Sequence, residues 1–283
     1  MPNLKQARPP CSATSVELMT EDRYTHGHQE SVVSAHATRT IANSAAYLSG
    51  YLAPGLELLD VGCGPGSITA EFAAQVAPDG RVLGIDNSAE VIDRARSVFG
   101  DSGATFQAMD LYDLDIADDS YDIAHAHQVL QHVSDPVAAL REMKRVVRPG
   151  GIVAVRDADY AGMHWAPHSP QMDAWMSVYR QVAKANGAEP DAGRFLVRWA
   201  REAGLSDVTA TVDAWLFASP ERREWWGSTW ADRVVSSSLA GQAVELGLAT
   251  PAGLKDMSDG WRTWIAEQDG WFVCPHGELI CRV

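Results

Sequence analysis

Residues 58–72 read LLDVGCGPGSITAEF. An apolar run stops at Asp60 and Val61. Gly62, Gly64 and Gly66 then alternate through a turn, and Ile68, Phe72 and Val76 recur four apart as a helical stripe. The pattern is a buried strand, a turn of bare backbone, then a helix. Such a turn presents free amide N–H groups and the positive end of a helix. Glycine lets a ligand approach the main chain and permits a positive φ. The stretch therefore predicts a cradle for a polar or anionic group, with Asp60 placed to brace the loop by accepting its N–H groups.

The pattern repeats on either side. Leu56–Val61 and Arg81–Asp86 are expected strands, as are Ala104–Met109, Tyr121–Ala126 and the β-branched Ile152–Val155. Between them lie expected helices. One carries Val91, Ile92, Ala95, Val98 and Phe99 behind a Ser88 cap. Another opens at Asp135-Pro136 and ends at Arg148-Pro149-Gly150-Gly151. Alternating strands and helices argue for a parallel sheet covered on both faces. Ser34–Leu52 reads as a helix before this core. After it come helical stretches at Ser169–Ala185 and Arg194–Ala203, a strand at Val208–Phe217, a long helical block at 220–268 and a last strand-like segment from Trp271. The expected parts are an N-terminal tail and helical cover (1–53), a ligand-binding core (54–160), and a region (161–283) in which two strands flank a helical insertion.

Composition narrows the partners. Asp plus Glu outnumber Lys plus Arg 37 to 23, a formal charge of −14, and no basic block is present. Nucleic-acid binders neutralise phosphates with clustered basic residues, so neither a nucleic acid nor an acidic membrane is expected as partner. No apolar run reaches the length of a membrane helix and the N-terminus shows no export pattern. Four cysteines lie scattered without a C-x-x-C pair, which suits a reducing compartment, and a cytoplasmic location is expected.

The residues beyond the loop point to the ligand. The spacing is G-x-G-x-G, with serine at position 67, and not the G-x-G-x-x-G of dinucleotide folds. The second strand ends in Asp86, a carboxylate placed for the two hydroxyls of a ribose. The third is followed by Asp110, suited to an exocyclic adenine amine. Loop and acids in register point to a nucleoside.

These motifs resemble the class I S-adenosylmethionine-dependent methyltransferases. The matching segments are LLDVGCGPG (58–66), VLGIDNS (82–88), AMDLYDL (108–114), SYDIAHAHQVLQHVSDP (120–136) and RVVRPGGIVAV (145–155). The likeness is strongest to the ubiquinone- and menaquinone-biosynthesis type and other small-molecule enzymes. It implies a doubly wound, mostly parallel, seven-stranded Rossmann-like sheet. It also implies S-adenosylmethionine as cofactor. Gly62, Cys63 and Gly64 would lie against the methionine part, with Asp60 behind them. Asp86 would hold the ribose, Asn87 would sit beside the adenine, and Met109, Asp110 and Leu111 would enclose it. His127 and Gln128 follow the fourth strand, where the family faces the cofactor. Similar enzymes fold an N-terminal segment over the cofactor, which makes Tyr24 and His28 candidates.

The implied activity is methyl transfer to a small acceptor at O, N or C. A protein acceptor, or cofactor binding without catalysis, stays open. His127, Asp157 and His164 are the expected catalytic side chains. His125, His127 and His132 form an H-x-H-x4-H group, but strand and loop separate them and no metal site is expected. All ten tryptophans lie between Trp165 and Trp271. Trp225, Trp226 and Trp230, with Tyr160 and His164, are expected to close over the acceptor. A flat or apolar acceptor suits such rings better than a strongly anionic one.

Overall fold

The computed structural model describes residues 38–283; the candidates Tyr24 and His28 lie outside them. The stretch 58–72 forms the expected strand, turn and helix. β1 (Glu57–Val61) runs into the glycine turn, and α2 (Ser67–Val76) leaves it with Gly66 at its N-cap. β2 (Arg81–Asp86), α3 (Ala89–Phe99), β3 (Ala104–Ala108), β4 (Tyr121–His127), α4 (Pro136–Val146) and β5 (Val147–Ala158) continue the alternation. Local chemistry sets the helix starts. Ser88 Oγ accepts from Val91 N, and Asp135 accepts from Ala138 N with Pro136 in the first turn.

The strands order as β3-β2-β1-β4-β5-β8 (Trp271–Arg282), with β6 (His164–Ala166) and β7 (Asp207–Phe217) both pairing β8. β1 to β5 are mutually parallel, and β8 (Trp271–Arg282) is antiparallel to β5 and to β7 (Asp207–Phe217). The sheet has eight strands, one more than the resemblance implies. The extra one is the short β6 (His164–Ala166), in which His164, Trp165 and Ala166 pair with Val273, Phe272 and Trp271. Its residues extend the line of β5 along β8, because β8 runs on past the end of β5. The chain winds outward from β1 in both directions, so the switch point falls between β1 and β4, above their carboxyl ends, where open α/β sheets bind ligands.

Two faces of the sheet are buried separately. Leu59, Val61, Ala124, Ala126, Val153 and Val155 pack under α4 and α6 (Leu196–Glu202). Leu58, Ile123, Ile152 and Ile280 pack on the other side with α2 and α3. Within the described residues, the helix expected before the core is instead a single turn, α1 (Ile41–Ser44), followed by a 3-10 helix at Ala46–Tyr51. Thr40 and Asn43 form a reciprocal capping box, and Ala45 leaves helical geometry at φ −141°. Asn, Ser and Gly in this stretch favour caps and turns over a continuous helix.

The remaining helices build a second core. α5 (Pro170–Ala185), α7 (Pro220–Ser236), α8 (Ser238–Glu245) and α9 (Pro251–Ala266) surround Trp175, Trp230, Trp261 and Trp264, all fully buried. The rings meet edge-to-face, with Trp175 at 4.5 Å from Trp230 and 4.8 Å from Trp261, an arrangement favoured by ring quadrupoles. Among the described residues, no helix is long and apolar enough to cross a membrane.

Candidate active site

A cleft opens at the switch point. Its walls are the glycine turn, the ends of β2 and β3, and the loop after β4. Every described residue expected from the sequence to touch the cofactor lines it: Asp60, Gly62, Cys63, Gly64, Asp86, Asn87, Met109, Asp110, Leu111, His127 and Gln128. Two glycines set its shape. Gly62 has φ +65°, and a Cβ there would lie 2.4 Å from Val129 Cγ2. Gly64 has φ +55° with nothing within 4 Å of a built Cβ. The second case is open space beside a main chain that a side chain would shield.

The acids around the cleft have distinct partners. Asp86 Oδ2 accepts from Gly64 N at 3.1 Å and Oδ1 from Ser88 N at 3.0 Å, so this carboxylate ties the glycine turn to the end of β2. Asp110 Oδ1 accepts from Tyr112 N at 2.9 Å. Asp60 is buried and does not brace the loop through its amides as expected. It accepts from Thr69 Oγ1 at 2.6 Å and from His125 Nδ1 at 2.8 Å, because its side chain turns under α2 toward β4. The thiol of Cys63 is pushed up by burial and by the nearby Asp60 and Asp86 charges, so it lines the cleft as an uncharged group.

A second chamber lies beside the first, under α7. Arg39, Gln128 and His132 line both and form the neck between them. The chamber's walls include Tyr160, Met163, Trp215, Phe217, Trp225 and Trp226, with Arg222 and Arg233 from α7. Trp226 stacks on Phe217 with centroids 4.4 Å apart and planes 3° apart. Trp230, expected beside them, is a core ring instead: its position on α7 turns it into the Trp175–Trp261 cluster.

The neck is built from strained and tightly bonded groups. Gln128 is a non-glycine residue at φ +55°, a conformation that persists only where surroundings enforce it. Its N–H donates to Arg156 O at 2.7 Å, its Oε1 accepts from Arg39 Nη2, and its Nε2 donates to His276 Nε2 at 2.8 Å. His276 Nδ1 in turn donates to Cys274 O at 3.0 Å. Burial, with Arg156 and Arg39 nearby, keeps His276 neutral well below its ordinary pKa. Gln131 Nε2 donates to His132 Nε2 at 3.0 Å. Desolvation and the Arg39 charge pull His132 down to about 3. His127 is buried, and neither ring nitrogen has a hydrogen-bond partner among the described residues. Desolvation first, then Arg39 and Arg156, hold its pKa well below 6.5. It is therefore an unprotonated imidazole at neutral pH.

The other two expected catalytic residues stand elsewhere. Asp157 is fully buried and lines neither chamber. Its Oδ1 accepts from Gln131 N at 3.0 Å, holding the loop after β4. Burial pushes this carboxyl up to about 7, against the lowering effect of the Gln131 and Leu130 amides. His164 is exposed on β6 and lines neither chamber, because the pairing of β6 with β8 carries it away from the neck. His125 bonds Asp60 through Nδ1 and His132 bonds Gln131 through Nε2, and the described residues contain no grouping of three metal-ligating side chains.

Below His127 lies a polar row that the sequence did not single out. His127, Arg156, Glu278 and Thr211 are register partners across β4, β5, β8 and β7. Arg156, fully buried, donates Nε to Glu278 Oε1 at 3.1 Å, and Thr211 Oγ1 donates to Glu278 Oε2 at 2.8 Å. The Arg156 guanidinium lies 5.2 Å from the Trp215 ring. The available signal was Arg156 itself, a charge inside the apolar run IVAVRDA.

Residues 52–206 match the methyltransferase domain family. A methyltransferase of Schizosaccharomyces pombe is 31% identical over 269 residues, covering 91% of this chain and 95% of its own. The chain belongs to the S-adenosylmethionine-dependent methyltransferases. Demethylmenaquinone methyltransferase of Roseiflexus castenholzii is 34% identical to this methyltransferase over 169 residues, 53% of this chain and 68% of its own. The fold is shared with phosphoethanolamine N-methyltransferase 2 of Haemonchus contortus, solved with S-adenosyl-L-methionine. The TM-score is 0.52 at 17% identity, over 84% of this chain and 51% of that one. The open space at Gly64 and the donor and acceptor set around it fit the cofactor of the family.

Proposed function

We propose that this methyltransferase acts on a small, planar or apolar acceptor held in the Trp225–Trp226 chamber, with the reacting atom presented at the neck. The observation that carries the reading is the neck itself: Arg39, Gln128 and His132 line the cofactor cleft and the aromatic chamber at once. In the cleft, Asp86 would accept from the ribose hydroxyls, Asn87, Met109, Asp110 and Leu111 would enclose the adenine, and Gly62, Cys63 and Gly64 would face the methionine part. When bound, S-adenosylmethionine supplies an activated methyl group, so little covalent chemistry falls to the protein.

The protein's work is placement and exclusion of water. Stacked Phe217 and Trp226 offer a flat wall, and Gln128 is fixed on both sides of its amide. A neutral hydroxyl or amine acceptor must also lose a proton. His127, which lines the cleft and has no partner on either nitrogen among the described residues, is the group that would take it, a role typically worth about 10²–10⁴-fold in rate. The bulk charge of −14 supports a small molecule over a nucleic acid. The free Cys63, Cys274 and Cys281 support a reducing, cytoplasmic setting.

Trp225 tests the reading because it lines the chamber at 37% exposure and stands outside the main tryptophan cluster. Methyl transfer from labelled S-adenosylmethionine should be assayed across planar phenols and naphthols. Trp225→Ala should raise the acceptor KM about fivefold, as expected for lost ring contacts of roughly 1 kcal/mol, and leave cofactor affinity unchanged. An unchanged acceptor KM would remove the chamber from the reaction.

A further inference from the structure

Gln128 stands where the cofactor cleft meets the aromatic chamber, and it is gripped at both ends. Its backbone lies in the left-handed region at φ +55°, and its N–H donates to Arg156 O on β5 at 2.7 Å. Its side-chain amide lies between Arg39, which donates to Oε1, and His276 on β8, whose Nε2 is 2.8 Å from Gln128 Nε2. The two ends of a primary amide have nearly the same shape, so packing alone does not decide which end faces Arg39.

The direction is set from β8. His276 is fully buried and stands 148 positions along the chain from Gln128. Its Nδ1 lies 3.0 Å from Cys274 O. A backbone carbonyl only accepts, so Nδ1 carries the proton. Nε2 of the ring, which burial keeps neutral, is then a bare acceptor. Only the NH₂ end of Gln128 can meet it, and that leaves Oε1 to face the Arg39 guanidinium. With the amide reversed, two acceptors would oppose each other at His276 and two donors at Arg39, a costly arrangement for buried groups. The Trp215 ring, 4.5 Å from that of His276, and the His127 ring, 6.1 Å away, flank the imidazole.

We infer that His276 is a positioning residue for the cofactor site: it fixes the direction of the Gln128 amide and, through Oε1, the place of Arg39 on the cleft wall. His276 itself lines neither the cleft nor the chamber and acts through Gln128. Every bond in the series donates the same way, from Arg39 to Gln128, from Gln128 to His276 and from His276 to Cys274 O. Hydrogen bonds aligned in this manner polarise and strengthen one another. The series also supports a strained residue, since a left-handed glutamine persists only where its surroundings enforce it. This role concerns the cofactor cleft and holds whether or not the chamber receives the acceptor.

Nitrogen-15 NMR of the full chain with labelled histidine tests the series of bonds. His276 should show a protonated Nδ1 and a bare Nε2. The Nε2 resonance should move in Gln128→Met, which keeps the side-chain length and removes the amide. A protonated Nε2, or a resonance that stays in place in Gln128→Met, would overturn the relay. Calorimetry with S-adenosylhomocysteine tests the role. An asparagine amide overlays Nδ1 of histidine, and a glutamine amide overlays Nε2. His276→Asn therefore keeps the bond to Cys274 O and removes the acceptor for Gln128. It should weaken binding about fivefold or more, as should Gln128→Met. His276→Gln restores an acceptor at that point and should bind within about twofold of the wild type. Adding His276→Asn to Gln128→Met should cost nothing further, because the two residues act as a unit. Wild-type affinity in a folded His276→Asn, equal losses in the Asn and Gln variants, or full additivity with Gln128→Met would overturn the assignment and leave His276 a packing residue of β8. Unchanged affinity in Gln128→Met would overturn it even where the His276 variants fail to fold.

Discussion

Asp157→Asn separates a catalytic carboxylate from a structural one. In the folded protein the group titrates at about 7 because burial opposes its charge; in the unfolded chain a carboxyl titrates near 3.9. The folded state therefore holds a proton that the unfolded state has released between these values, and stability falls as pH rises through that window. The contribution is complete below about pH 4 and lost above about pH 7. From pH 5 to pH 7 the loss is two pH units at about 1.4 kcal/mol each, or about 3 kcal/mol. Asparagine keeps the Oδ1 acceptor for Gln131 N and cannot ionise. Its amide nitrogen takes the place of Oδ2, which has no partner among the described residues, at a fixed cost of about 1–3 kcal/mol. The difference in unfolding free energy, variant minus wild type, should thus rise by about 3 kcal/mol between pH 5 and pH 8. Urea unfolding of both proteins at the two pH values measures it. A difference that does not change with pH, or that falls, would refute the argument that a neutral Asp157 supports the loop after β4.

Two other substitutions probe cleft and chamber. Asp86→Ala should weaken S-adenosylhomocysteine binding at least about tenfold, from lost charged bonds worth about 1.5–3 kcal/mol each. It should also loosen the Gly64 amide that Asp86 accepts from; isothermal calorimetry reads the affinity, and normal binding would reject the ribose assignment. Trp226→Ala should cost about 3–5 kcal/mol of stability, since this ring is 6% exposed and stacked on Phe217; thermal unfolding checks it, and a variant that melts like the wild type would show that the ring serves only the chamber.

The parts legible in the sequence are those whose meaning is local. The strand–glycine–helix signal, Asp86 and Asp110 sit at fixed offsets along the chain, and all reach one cleft. Helix starts at Ser88, Asp135 and Ser169 were legible for the same reason. What failed depends on distant partners. Asp157 and Asp159 stand two residues apart, and spacing alone does not distinguish them. One is enclosed against the loop after β4, and the other bridges to Arg194 at the surface. Trp226 and Trp230 share a helix face by spacing, yet only Phe217 and Trp175, residues from other elements, decide which one borders the chamber. His164 was misplaced because nothing in its neighbourhood announces a three-residue strand pairing across more than a hundred positions to Val273. Arg156 and Glu278 are likewise 122 residues apart in sequence.

Gly64→Asn tests most directly whether the glycine turn is the seat of S-adenosylmethionine. Asparagine tolerates left-handed backbone better than other side chains, and no atom lies within 4 Å of a Cβ at this position, so the fold should survive. The side chain would occupy the space the cofactor needs. Calorimetry should show micromolar S-adenosylmethionine binding by the wild type. It should show at least a tenfold loss in Gly64→Asn, about 1.4 kcal/mol or more, at a melting temperature close to the wild type. Unchanged affinity in a folded Gly64→Asn protein, or no binding by the wild type, would contradict that placement of the cofactor.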